Sequence, residues 1–163
     1  VNSSWQAAPW ADVLFAVDCA WWDVNIATVN RRSRSELWTT SEHARGKHGL
    51  YWVRGVDGAG LCRAPDCVNI GRNSGYAAIG LAYLFGAARI ILTGFDMQRT
   101  DGRNHWHADH PAPLKNLGVI ENWRSLMRQL ALDLKGAGVP VINCTRTTAL
   151  TCFERQALED VFP

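Results

Sequence analysis

The sequence lacks an apolar run long enough to cross a membrane. Its longest apolar stretch, residues 77–92, is interrupted at Gly86 and carries Arg89, whereas a spanning helix needs about 20 consecutive apolar residues. A dominant charge is also missing. Lys and Arg number 17 against 15 Asp and Glu, a formal charge of +2, which is too small to indicate nucleic acid or a membrane surface as a partner. Internal repeats and low-complexity tracts are absent, which excludes solenoids and fibrous arrays, and no secretory-leader pattern is visible. The five cysteines, at 19, 62, 67, 144 and 152, are odd in number and describe no closed disulfide framework. A reduced, cytoplasmic chain with partly buried thiols is the expectation. Cys62 and Cys67 are spaced as a zinc pair can be, but no second pair lies near them in sequence.

What is present fits a single α/β domain spanning residues 1–163. The length suits one full-sized core, and 47% hydrophobic with 20% charged residues is a globular composition. Eight tryptophans are expected mainly in the core and at its rim, with one or two available to stack on a base or a sugar. Arg31, Arg32 and Arg34 read as a solvated basic loop that could also meet phosphates. The chain opens at Val1-Asn2 without an initiator Met, as a piece of a longer protein would.

Periodicity supplies the elements. Residues 12–18 (DVLFAVD) are an apolar run between carboxylates, as in a strand buried on both faces of a parallel sheet. Glu36–Thr40 and Leu50–Arg54 are further strand candidates, and Ser41 is placed to cap a helical turn through Lys47. Residues 55–72, rich in Gly, Cys and Pro, read as a long loop of the kind that is functional or mobile. Asn73-Ser74-Gly75 opens a helix that Gly86 stops, and residues 89–93 (RIILT) follow as a buried strand. Apolar residues at three- and four-residue steps from Asn116 to Lys135 give an amphipathic helix. Residues 139–144 return as a strand, and Thr148 opens a final helix through Asp160. The order predicts a Rossmann-like, mostly parallel sheet of four or five strands flanked by helices. Ligands of such sheets lie beyond the carboxyl ends of the strands, here the loops after Val17, Thr93 and Cys144.

Three groups of residues on those loops carry chemistry. Asn73, Ser74 and Gly75 at a helix start offer free N–H groups and about half a unit of positive charge to an anion, or simply an N-cap. Asp96 ends a buried strand, where a carboxylate binds a metal, a ribose or a substrate hydroxyl, or ties its own loop. In the stretch 104–111 (NHWHADHP), three imidazoles and a carboxylate fall within six residues. One imidazole can act as a general base, and His105, His107, Asp109 and His110 can gather a divalent metal. The string matches the His-x-His-x-Asp-His pattern of the metallo-β-lactamase superfamily, but no histidine follows His110 to complete that ligand set. His43 and His48 are read as loop histidines without a role.

In order, these pieces resemble the bacterial lipooligosaccharide sialyltransferases and the related MptE-like family, which includes archaeal 6-hydroxymethylpterin diphosphokinases. Phage proteins carrying the same core look closest. The matching segments are Val1-Asn2, Val13–Asp18, Asn73-Ser74-Gly75 with its helix, residues 90–96 (IILTGFD), the histidine loop, and Ile142–Thr145 before a helix with Leu150 and Phe153. The resemblance implies a strand-end Asn2 and an Asp18 that contact the donor nucleoside. It further implies Ser74 and Gly75 at the nucleotide end of the donor, and His110 as base on the acceptor hydroxyl. Two tyrosines that hold the leaving phosphate in the sialyltransferases have no equivalent near Gln98–Arg103. The Gly-Asn-Gly-Pro-Ser loop that precedes the Val1 segment in these families is not in the sequence, so an N-terminal βα unit is expected to be missing.

The expectation is therefore a transferase taking a nucleotide or nucleotide-sugar donor and a hydroxyl acceptor, glycosyltransferase-like, with His110 and Asp96 as its catalytic pair. A diphosphokinase-like variant would use Mg²⁺ with Asp96 and Asp109 as oxygen ligands. The competing readings are a Zn²⁺-dependent hydrolase at the histidine cluster and a non-catalytic nucleotide-binding module. Association into a homo-oligomer is left open.

Overall fold

The computed structural model describes residues 1–99, 114 and 120–162. In it, extended apolar runs alternate with helices, and every strand pair is parallel. The strands are β1 (Val13–Phe15), β2 (Glu36–Thr39), β3 (Tyr51–Trp52), β4 (Arg54–Val56), β5 (Cys67–Asn69), β6 (Ile90–Leu92), β7 (Val141–Asn143) and β8 (Glu154–Arg155). The helices are α1 (Cys19–Arg32), α2 (Glu42–His48), α3 (Ser74–Leu84), α4 (Ile120–Gly136) and α5 (Leu158–Val161). Among the described residues, no helix is long and apolar enough to cross a membrane.

The mixed α/β class with parallel strands and flanking helices is as expected, but the single sheet of four or five strands is not. Three small sheets form instead, ordered β1-β2-β3, β4-β5 and β6-β7-β8. The reason is local. Residues 51–56 are almost one extended run, and successive amides of such a run point to opposite edges. The Val53 N–H donates to Thr39 O at 3.1 Å, whereas the next amide, Arg54 N–H, donates to Asp66 O at 3.3 Å. The run thus bonds β2 along one edge up to Val53 and β5 along the other beyond it, and the strands, two to four residues long, are too short for the two ladders to overlap.

Three further expectations are corrected. The basic run is loop only at Arg34: Arg31 and Arg32 form the last turn of α1, where cations suit the negative end of the helix dipole. The final helix opened by Thr148 is replaced by β8 and the four-residue α5, because the Thr148 hydroxyl bonds Phe95 O and accepts the Leu150 N–H. The long 55–72 loop contains β5 and the last two residues of β4. Within it, Cys62 and Cys67 are disulfide-bonded, their Cα atoms 5.9 Å apart, in place of the reduced thiols expected. Cys19, Cys144 and Cys152 are free.

The first sheet is packed on both faces. Trp21, Trp22 and Val29 of α1, with Ala44 of α2, join Leu14 and Leu50 in one apolar cluster. Ala77 and Leu81 of α3 join Phe15, Val53 and Val68 in another. Ile79 and Tyr76 of the same helix meet Ile90, Leu92 and the Met127, Leu130 and Leu134 stripe of α4. Helix α3 therefore bridges the first and third sheets, and its N-terminus is placed where their strands end.

Candidate functional site

Past the end of β1, the Ala16 carbonyl accepts the Trp22 indole N–H at 3.0 Å, and the Val17 carbonyl is 3.5 Å from the Thr39 hydroxyl. The Val17 N–H donates to Ser74 Oγ at 3.4 Å. This joins the end of β1 to the first residue of α3. Asp18, the next residue, takes the N-cap position of α1, yet its side chain makes no capping bond and is exposed. Among the described residues its carboxylate has no hydrogen-bond or ion-pair partner.

At α3, the Asn73 side chain accepts the Tyr76 N–H at 3.1 Å, the capping role read from sequence. Ser74 is buried, and its hydroxyl proton remains available while its oxygen accepts from Val17. Among the described residues, no group accepts from the Ser74 or Gly75 amide. These two N–H groups at a helix N-terminus suit an anion. Gly75 is needed on packing grounds as well: a Cβ there would sit 3.0 Å from both the Phe95 ring and Asn73 Oδ1.

Phe95 belongs to the loop after β6, which is stitched to the loop after β7. Its N–H donates to Thr145 Oγ1 at 2.9 Å, its carbonyl accepts the Thr148 hydroxyl at 2.6 Å, and Asp96 O accepts the Ala149 N–H at 2.8 Å. Asn143, fully buried, accepts the Thr145 N–H and holds that turn. The Asp96 carboxylate accepts its neighbour's Met97 N–H at 3.0 Å through one oxygen, the loop-tying role weighed for it, and among the described residues nothing bonds its other oxygen.

Ser74 thus lies beside the residue preceding Asp18, and Gly75 lies against the residue preceding Asp96. Asn2 is placed differently from expectation. It is no strand-end residue but opens a 3-10 helix, Asn2–Gln6, with φ of 43°. That helix packs on the first turn of α1 through Ser3, whose Oγ is 3.5 Å from the Trp21 indole nitrogen. Asn2 Oδ1 is buried and has no partner among the described residues. His105, His107, Asp109 and His110 lie outside the described residues. Among those described, no group of three or more His, Cys, Asp or Glu could hold a metal.

Sequence reasoning missed Val17, Asn143, Thr145, Thr148 and Phe95, which position the site. The spacing of two threonines three residues apart after Asn143-Cys144 was the available signal, since hydroxyls past a strand end commonly bond local backbone. It also passed over a polar cluster that joins α1 and α2. His48 Nε2 is 2.7 Å and Lys47 Nζ 2.9 Å from Asp23 Oδ1, which ties α2 to α1. Hydrogen bonds from Lys47 and then His48 hold the Asp23 carboxyl below the usual aspartate value. The Cys19 thiol beside it is pushed up, by desolvation first and the Asp23 charge second, the reverse of an activated nucleophile.

The fold and site define a mixed α/β protein with small parallel sheets whose polar loops gather where strands β1 and β6 and helix α3 meet. Compared with protein-family models, curated proteins and solved structures, the chain matches none.

Proposed function

We propose that the protein is a transferase acting on a nucleotide-activated donor, with the donor phosphate at the N-terminus of α3. The observation that carries this reading is the joining of three strand-end loops around that N-terminus: Val17 to Ser74, Gly75 against Phe95, and Phe95 to Thr145 and Thr148. A donor phosphate would accept from the Ser74 and Gly75 amides and from the Ser74 hydroxyl. Asp18 and Asn2 would contact the nucleoside, and Asp96 would accept from the acceptor hydroxyl and orient it. The acceptor oxygen then forms a bond to the transferred carbon or phosphorus as the bond to the donor's phosphate oxygen breaks. The leaving phosphate takes the electron pair, and the hydroxyl proton passes to His110. Fixed donors around a developing anion and a base within reach are what such a displacement needs.

The test is a thermal-shift panel of nucleotides and nucleotide sugars, with and without Mg²⁺ or Zn²⁺. A ligand at about 100 times its Kd contributes about 2.7 kcal/mol, which raises Tm by roughly 5–10 °C in a chain of this size. His110→Ala is expected to keep that shift and lose turnover. No shift with any nucleotide ends the proposal. A shift that survives without turnover in the unsubstituted protein makes it a binding module, and stoichiometric bound zinc favours a hydrolase.

A further inference from the structure

At the opposite edge, where β1 and β2 begin and α3 ends, a shallow groove of about 530 Å³ is lined by Asp12, Val13, Arg34, Glu36, Trp38 and Phe85. Its base is aromatic. The Trp38 ring stacks on Tyr51 at 5.2 Å and 19°, and meets Phe85 edge-on at 5.1 Å and 70°. The Trp38 indole N–H donates to Glu36 Oε2 at 3.0 Å, which fixes the ring's orientation. Tyr51 and Phe85 are 56% and 51% exposed. Two large apolar side chains thus face solvent around one partly covered indole.

The rim carries charge of both signs. Among the described residues, Arg34, Asp12 and Glu36 form no ion pair. A cationic partner would meet Arg34 and an anionic one would meet two carboxylates, so neither suits the groove. A surface bearing the same mixture does. In a two-fold arrangement each patch faces its own copy, and residue i meets j while j meets i. Arg34 of one copy then meets Asp12 and Glu36 of the other, twice, around an aromatic centre. That is the composition of protein interfaces, with Tyr, Trp, Phe and Arg enriched and the charges at the rim. Phe85, which lines the groove and packs edge-on on Trp38 of its own copy, adds its solvent-facing side to that centre.

We propose that this face is the isologous interface of a homodimer, with the Trp38, Tyr51 and Phe85 patch of each copy packed against that of the other. The proposal does not depend on the strand-end site, and its test involves no nucleotide. Sedimentation of the protein at about 10 µM, a concentration at which a standard-size interface is populated, is expected to give twice the 18.1 kDa chain mass. Phe85→Ser is expected to shift the species to monomer without loss of the far-UV spectrum. Arg34→Glu alone, and Asp12→Arg with Glu36→Arg alone, place like charges in contact and are each expected to be monomeric. Mixing those two variants is expected to restore a dimer, because every rim contact is again between opposite charges. A monomer at every concentration overturns the proposal. So does a dimer that all these variants leave intact, or a mixture that stays monomeric.

Discussion

The Val17 amide and the Ser74 hydroxyl, 57 residues apart in sequence, are 3.4 Å apart in the fold. The bond closes the corner between the end of β1 and the start of α3. A hydroxyl at this position does two jobs. It satisfies a partly buried N–H of a strand that has just ended, and it keeps the positive end of α3 aimed past that strand.

Ser74→Ala is expected to cost about 1 kcal/mol, the usual net worth of such a bond, and to lower Tm by roughly 3 °C. Differential scanning calorimetry reads this directly. If a donor phosphate binds where we propose, the same substitution also weakens nucleotide binding by about tenfold, the effect of about 1.4 kcal/mol. Weakened stability with unchanged nucleotide affinity would confine Ser74 to the corner.

How far the sequence foretells this arrangement depends on the kind of signal each element carries. Helix α3 is legible because Asn73 caps it and Gly86, at φ of 78°, ends it. Strands β1, β6 and β7 are legible as short continuous apolar runs. Helix α1 is not read as a helix, although Trp22, Ile26 and Val29 fall at helical steps. Its two adjacent tryptophans and its β-branched residues weaken both the propensity and the polar–apolar contrast. Strand β5 hides inside a loop-like composition because Cys67, Val68 and Asn69 are buried for tertiary reasons: one sulfur is bonded and one carboxamide serves distant carbonyls. Within the site, Asn73, Ser74, Gly75 and Asp96 follow from their places at element ends. Thr145 and Thr148 do not, since their partners come from a loop about 50 residues earlier.

Gly75→Ala tests the contact between α3 and the β6 loop. In an unobstructed helix the change would stabilise by about 1 kcal/mol. Here the new methyl meets Phe95 and Asn73 Oδ1 at 3.0 Å, closer than ordinary contact, and Phe95 is held by Thr145 and Thr148. The substitution is therefore expected to destabilise by about 1–2 kcal/mol, as overpacking does. A rise in Tm would mean that the Phe95 ring moves aside freely.

The Asp23 cluster gives a pH dependence with a definite sign. The folded carboxyl titrates below the usual aspartate value because Lys47 and then His48 hydrogen-bond to it. A depressed carboxyl contributes stability that is present above the unfolded value and is lost as pH falls through the lower folded value. Lys47, raised above 10.5 first by its hydrogen bond to Asp23, contributes below that value and loses its contribution as pH rises through the folded one. The α1–α2 tie is thus strongest between the two limits. Comparison of wild type with Asp23→Asn by thermal melts is expected to show a Tm gap at neutral pH that closes below about pH 3.8, near the ordinary aspartate value. A gap that persists in acid would show that the pairing is not its source.

The loop between β4 and β5 offers the sharpest energetic test, because two donors serve one carbonyl. Gly60 O accepts from Asn69 Nδ2 at 2.9 Å and from the Tyr76 hydroxyl at 3.0 Å. Nearby, Ala59 O accepts from Asn69 at 3.2 Å and Asp133 accepts the Leu61 N–H at 2.9 Å. A loop held this way is fixed from three sides, contrary to the mobility its glycines suggest. Tyr76→Phe removes one donor and leaves Gly60 O with the other, so it is expected to cost only about 1 kcal/mol. Asn69→Ala leaves Gly60 O to Tyr76 but strips Ala59 O, at a cost of about 1–3 kcal/mol. The double variant leaves a buried carbonyl with no donor and is expected to exceed the sum of the two by at least about 0.5 kcal/mol. Urea melts of the four proteins supply the cycle, and hydrogen exchange of the Leu61 amide should quicken most in the double variant. Strict additivity would mean that water already serves Gly60 O when either side chain is removed, and that the two donors hold the loop independently.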